Sequence, residues 1–490
     1  MVRTAAPARS FPYRLSKVIS KTTLQDWLLG LAPGALTRLR DRIRASPIGH
    51  RLARGTFWSL AAGGVSRLLA LVASIILARL LGKEGFGQLG ILQSTLEMFG
   101  TFAAFGLGLT STKYVAECRA SDPDKAGRIL GMTSMIAWVT GGACALFLMG
   151  FAPWLAAHTL AAPQLAPLLQ ISSLSLLFGA INGAQTGGLA GFEAFKSLAQ
   201  INLVSGLLTV LFRVGGTMWM GLEGAVWGMV LAQMAGCLMN ALMLRRMAVR
   251  SSVVVRYTHC LKDLPVIWKF SLPAVLMSFL IMPTSWLCNA LLVNRPGGYG
   301  EMAVLNAANQ WYFALLFIPS LMGEAALPIL FDRMNHRDHR SAHKIFFATL
   351  QLNAVVILPL LLLGLLSKPV MGLYGNDFAG GWLTLLIVLI TAALQAVQMP
   401  AGYMLVASGR MWLAFLMALG WSLSYVVATV GLVQWGSVGV ASARLMALGI
   451  HCLWTFAFAF QALKNNREPE TAGSPAGEPG GIKLLAALQK

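Results

Sequence analysis

Five ionisable side chains stand inside long apolar stretches of this 490-residue chain: Arg67, Glu97, Arg213, Glu324 and Arg444. Each is costly in a hydrocarbon surrounding, so each marks a place where charge is put to use. A guanidinium presents forked donors that suit a phosphate. A carboxylate held among apolar groups can take up a proton or pair with a cation. Around these five, small and polar residues recur at helical spacing. Ser59, Gly63, Ser66, Arg67, Ala70 and Ser74 share one face; Gln93, Glu97, Thr101, Ala104 and Gly108 share a second. Ser271, Ser278, Ser285 and Asn289 mark a third, and Asn306, Gln310 and Glu324 a fourth. These faces are expected to line an aqueous cavity. Arg67, Arg213 and Arg444 would supply positive charge to it, and Gln93, Glu97, Asn306, Gln310 and Glu324 polar or ion-coupling groups. The same stripes also suit close helix packing, and Arg67 and Glu97 can pair with each other. Pro273, Pro283, Pro319 and Pro328 are expected to kink or unwind two of the helices, as a gate would require.

The elements that hold such residues must be membrane helices. The chain is 57% hydrophobic and 11% charged, with a mean hydropathy of +0.67. Soluble domains carry roughly 45–50% apolar and about 25% charged residues, so a water-soluble enzyme is excluded. Twelve apolar runs are long enough to cross a ~30 Å hydrocarbon layer, which takes about 20 helical residues. They fall near 57–77, 87–111, 129–151, 167–187, 197–219, 225–244, 270–293, 302–330, 345–366, 382–407, 411–433 and 438–460. Runs this long and without alternation are helices, since backbone groups in lipid must be satisfied internally. The net charge of +20 is distributed unevenly along them. With the N-terminus in the cytoplasm, 31 of the 38 Lys and Arg fall on that side, and only Arg79, Lys83, Arg295 and Lys368 on the other. This is the bias expected of a multi-pass membrane protein with both termini cytoplasmic, and it accounts for the charge without nucleic acid.

An internal repeat appears where Gly85-Phe86-Gly87 in the first half matches Gly298-Tyr299-Gly300 in the second. Six spans per half is an even number, so the halves are parallel repeats, a build that places its site between them. The expected organisation is a basic segment over 1–55, a first lobe over 56–246, a linker over 247–269, a second lobe over 270–463 and a tail over 464–490. Leu24, Trp27, Leu28, Leu31, Leu36 and Leu39, interleaved with arginines, suggest a helix lying on an anionic leaflet. Several motifs carry nothing. Gly85–Gly90 satisfies GxGxxG, yet no strand precedes it. His336, His339 and His343 sit among basic residues without a nearby cysteine, which argues against a metal. The six cysteines show no CxxC pairing, so neither disulfides nor metal ligation is expected. No cofactor and no catalytic residue is expected.

The stretch GTFWSLAAGGVSRLLALVASIILARLLGKEGFGQLGILQS, followed by GLGLTSTKYVAE, resembles polysaccharide-export flippases of the Wzx type. These belong to the multidrug/oligosaccharidyl-lipid/polysaccharide exporter superfamily. The resemblance implies an all-α, MATE-like membrane fold of about twelve helices in two parallel six-helix lobes. It implies movement of an undecaprenyl-diphosphate-linked glycan across the bacterial inner membrane, with H+ or Na+ as a coupling ion. Membrane lipids and the polymerase and chain-length proteins of the same pathway would be partners. A drug antiporter of the same superfamily, a peptidoglycan-precursor flippase and a membrane glycosyltransferase or polymerase stay open as alternatives. The first would need an acidic cavity, the second usually carries two more spans, and the third should present a large outer loop with catalytic residues.

Overall fold

The computed structural model describes residues 47–258, 276, 278–335, 339–408 and 410–465. The N-terminal amphipathic segment, the second part of the linker, Cys260, Pro273, His336 and the tail lie outside the described residues. Among those described there is no strand. The helices are α1 (Pro47–Ala104), α2 (Leu107–Cys118), α3 (Pro123–Trp154), α4 (Ala166–Gly191), α5 (Phe195–Arg250) and α6 (Ser278–Val293). They continue as α7 (Gly298–Asn335), α8 (His339–Leu361), α9 (Ser367–Gly372), α10 (Trp382–Ala407), α11 (Met411–Leu432) and α12 (Gly436–Asn465).

Among the described residues six stretches are long and apolar enough to cross a membrane, the two longest being 56 residues each. Three of them reverse within themselves, at Gly82, Gly221 and Gly436. Each of these glycines has a positive φ, of 69°, 56° and 62°, and Gly297 between α6 and α7 shares it at 69°. Only a residue without Cβ enters that region at little cost, so each glycine lets the chain turn within a few residues. Together with α6, α7 and α8 these make twelve crossings among the described residues. Gly82 is separated from Gly297 by the same length of chain as Gly221 from Gly436. The turns therefore define the structural repeat, and its register is two positions longer than the one read from the Gly-aromatic-Gly match. That motif serves a different purpose: a Cβ on Gly87 would stand 1.8 Å from the Tyr299 carbonyl oxygen, so the two halves touch backbone to side there.

The prolines do not break their helices. α6 runs through Pro283 and α7 through Pro319 without interruption. The breaks fall elsewhere. Phe105 and Gly106, at φ 42° and 65°, separate α1 from α2 within the second span. A π-helical turn over Leu155–Thr159 ends the third span, and a 3-10 turn over Leu362–Leu366 ends the ninth.

The end of the molecule that holds the four glycine turns will be termed the turn end, and the opposite one the connector end. Trp154, Trp219, Trp382 and Trp435 are exposed near the turn end, where an aromatic belt marks a membrane boundary. One hydrophobic core occupies the turn end and includes residues of both halves, from Leu77, Phe86 and Leu92 to Leu292, Ala303, Tyr374, Phe378 and Val440. At the connector end the cores separate. Val115, Leu130, Leu244 and Val253 pack within the first half, and Leu330, Phe346, Met404 and Ala459 within the second. The halves are sealed together at one end and individually packed at the other.

Candidate functional site

The candidate site lies where spans 1 and 2 of the first half meet spans 7 and 8 of the second. Its roof is polar. Trp286 Nε1 donates to Thr95 Oγ1 at 3.0 Å, and Asn289 Nδ2 donates to Ser94 Oγ at 2.8 Å. Asn306 packs against Gly90, and its buried Nδ2 has no hydrogen-bond partner. Gln310, one turn further along α7, is half-buried. Above this layer Arg79 Nε donates to the Leu373 carbonyl at 2.7 Å, and Tyr299 Oη to the Leu160 carbonyl at 2.8 Å. Phe86, Tyr374 and Phe378 close the turn end with ring centroids 5.9–6.3 Å apart.

Arg67 and Glu97 stand below the roof. Each lies fifteen residues from Gly82 on its own arm of α1, a depth of about 22 Å at 1.5 Å per residue. Arg67 shares a face with Gly63, which abuts Phe317 of the other half, and with Ser74, whose Oγ lies 3.4 Å from Tyr374 Oη. Glu97 shares a face with Ser94 and Gly90, which also meet the second half. Both side chains are exposed, and neither has a hydrogen-bond or ion-pair partner among the described residues. The Arg67–Glu97 pair that the sequence allows is not formed here. On either side of the space the halves touch again, through Gly63 against Phe317 and through Phe102 stacked on Phe279 at 4.8 Å.

Arg213 and Arg444 are placed differently. They lie eight residues from Gly221 and Gly436, at a common depth of about 12 Å. The Gln93 amide, with its oxygen turned to the guanidinium, accepts from Arg213 Nη1 and Nη2 at 3.2 and 2.7 Å, while Nε is buried without a partner. Arg444 donates from Nη1 to Asn309 Oδ1 at 3.1 Å and lies 4.0 Å from the Tyr312 ring centroid. Each arginine is thus held inside its own half by an amide of the second or eighth span. Pro273 and the Glu324 side chain lie outside the described residues. Sequence reasoning missed Asn309 and Tyr312, although their i, i+3 spacing puts them on one face of α7. It also missed Glu301, whose carboxylate accepts from Ser437 N and Oγ at 2.8 and 2.6 Å and so caps α12. Among the described residues no group of His, Cys, Asp and Glu could hold a metal ion.

This architecture can be set beside known proteins. A family model described as polysaccharide biosynthesis protein matches residues 52–334. The chain belongs to that family. Within it the chain is 24% identical over 404 residues to the EPS I polysaccharide export inner membrane protein EpsE of Ralstonia solanacearum, covering 81% of this chain and 90% of that one. It is 26% identical over 311 residues to stage V sporulation protein B of Bacillus subtilis, covering 58% and 59%. The fold of this polysaccharide biosynthesis protein is that of MOP-superfamily transporters. A multidrug resistance MATE family transporter in its inward-facing conformation matches with a TM-score of 0.70 at 15% identity, covering 83% of this chain and 96% of that one. An outward-facing conformation of a MATE family transporter matches at 0.64, covering 86% and 97%.

Proposed function

We propose that the protein is a flippase of the bacterial inner membrane, moving lipid-linked oligosaccharide from the cytoplasmic to the periplasmic leaflet for polysaccharide export. The observation that carries this reading is an exposed arginine without a partner, Arg67, on a helix face whose Gly63 meets Phe317 of the second half. Sugars and a diphosphate cannot enter hydrocarbon alone, because each unpaired hydroxyl costs a few kcal/mol and a charge far more. A hydrated cleft lets the head group pass while the prenyl tail stays in the bilayer. Arg67 then meets the diphosphate of an undecaprenyl carrier, and Glu97 exchanges the coupling H+ or Na+. Arg213 and Arg444, already bonded within their halves, keep the walls in shape. Relatives named for polysaccharide export support the substrate class.

In this reading the connector end faces the cytoplasm, since Lys113, Lys125, Arg245, Arg246, Arg250 and Arg410 lie there against four basic residues at the turn end. The separate cores at that end support an inward-facing reading. Residues 56–246 and 270–463 act as two lobes that rock about the linker, and no covalent chemistry is involved. Two tests bear on this. Cells without the protein should accumulate lipid-linked repeat units in the inner leaflet with glycosyl transfer intact; loss of repeat-unit synthesis would indicate an enzyme instead. A disulfide between Arg79→Cys and Leu373→Cys should lock the turn end and stop export, with recovery on reduction. Full export by the oxidised protein would contradict rocking.

A further inference from the structure

At the connector end of the first half, the chain leaves α5 and crosses α3 as an extended strap over residues 253–257. Two glycines make room for it. A Cβ on Gly127 would stand 1.9 Å from the Val254 carbonyl oxygen, and one on Gly131 2.0 Å from that of Arg256. Arg256 N donates to the Gly127 carbonyl at 3.2 Å, and its guanidinium pairs with Asp124 at 3.0 Å. The strap starts on the end of α5, where Val253 N donates to the Ala248 carbonyl at 2.9 Å, and is then fastened to α3. Between the strap and these helices lies a cavity of about 680 Å³. Leu130, Leu244, Ala248 and Val253 form its buried apolar wall, and Gln185, whose Oε1 has no partner, lies at its floor. Arg245 is exposed at its mouth beside Val249 and Val254, and it has no ion-pair partner among the described residues.

We infer that this cavity binds an anionic phospholipid of the surrounding leaflet, with an acyl chain under the strap and the phosphate on Arg245. The volume falls within the ~300–1,000 Å³ of ordinary ligand pockets. Its wall is apolar, its mouth is cationic, and it opens where the ends of α3 and α5 reach the membrane boundary. A basic pocket between helices at the cytoplasmic face is the setting that selects an anionic head group. The inference rests on the orientation proposed above, in which this end faces the cytoplasmic leaflet. A bound lipid would tie the strap, and thus the linker that follows it, to the last helical turns of the sixth span.

The test is native mass spectrometry of the full-length protein in detergent, titrated with phosphatidylglycerol or phosphatidylethanolamine of identical chains. Phosphatidylglycerol should be retained about fivefold more, the preference expected of one interfacial cation. Arg245→Glu should abolish that preference. Arg246→Glu, an exposed neighbour outside the cavity, should keep it. Ala241→Phe should fill the cavity and lower retention of both lipids. Equal retention of the two lipids by the unmodified protein would overturn the inference, as would equal losses in the two arginine variants. The measurement reads no transport, so its failure is separate from failure of the flippase reading.

Discussion

Replacing Arg67 separates a substrate contact from a structural one more cleanly than any other single change. Its guanidinium is exposed and touches no acceptor among the described residues, so Arg67→Ala leaves no buried group unpaired. Folded abundance in the membrane should change by no more than a surface substitution allows, about 0.5 kcal/mol in either direction. In the proposed role, what is lost is a charge-assisted hydrogen bond to a diphosphate, worth about 1.5–3 kcal/mol. At about 1.4 kcal/mol per decade, this lowers export roughly 10- to 150-fold. Arg67→Lys should retain part of the rate, because lysine keeps the charge and loses the fork. Since Arg67 and Glu97 do not meet, their effects on abundance should add to within about 0.5 kcal/mol. The assay is a pair of measurements on each variant, membrane abundance by quantitative blotting and surface polysaccharide by antibody binding. A fall in the abundance of Arg67→Ala, reversed when Glu97→Ala is added and accompanied by recovered export, would refute the cation role and restore a structural pair.

Three further outcomes are expected. Gln93→Leu removes the amide that holds Arg213 and should cost about 3 kcal/mol, read as a lower melting temperature in detergent. Unchanged melting would show that the guanidinium finds water or another acceptor. Tyr312→Leu should destabilise by about 2 kcal/mol relative to Tyr312→Phe, because a ring of either kind keeps its face toward Arg444 at 4.0 Å; equal melting of the two variants would contradict this. Gly87→Ala forces a methyl into the Tyr299 backbone and should pry the turn end open. A cysteine at Ala303, fully buried here, should then react with a membrane-impermeant maleimide, and no gain in labelling would show that the seam yields elsewhere.

The helices were legible because hydrocarbon leaves the backbone no other choice. α10 runs from Trp382 to Ala407, the bounds set by its apolar run, and α11 stops one residue short of the expected end. Partners of the buried charges were not legible. Asn309 and Arg444 are far apart in the chain, and composition offers many amides that could serve. The repeat register was two positions off because an identity match weighs side chains, whereas the turns depend on φ. The helices continue through Pro283 and Pro319, because a proline inside a helix can be accommodated by its neighbours, while the breaks fall where glycine permits a positive φ and where Phe105 accepts one.

The aromatic closure at the turn end has a consequence for the membrane that houses it. Phe86, Tyr374 and Phe378 are almost wholly buried, and wetting them costs about 1.5–3 kcal/mol apiece, so roughly 5–9 kcal/mol together. In the proposed orientation an idle carrier therefore keeps its periplasmic side shut, and only a change that buries comparable area at the cytoplasmic side can offset the opening. A passage wide enough for a hydrated oligosaccharide would, if open at both ends, let protons and ions stream through in great excess over the sugar chains delivered. In the proposed function, the three rings and the seam beneath them would let an energised membrane keep such a passage without discharging its own potential.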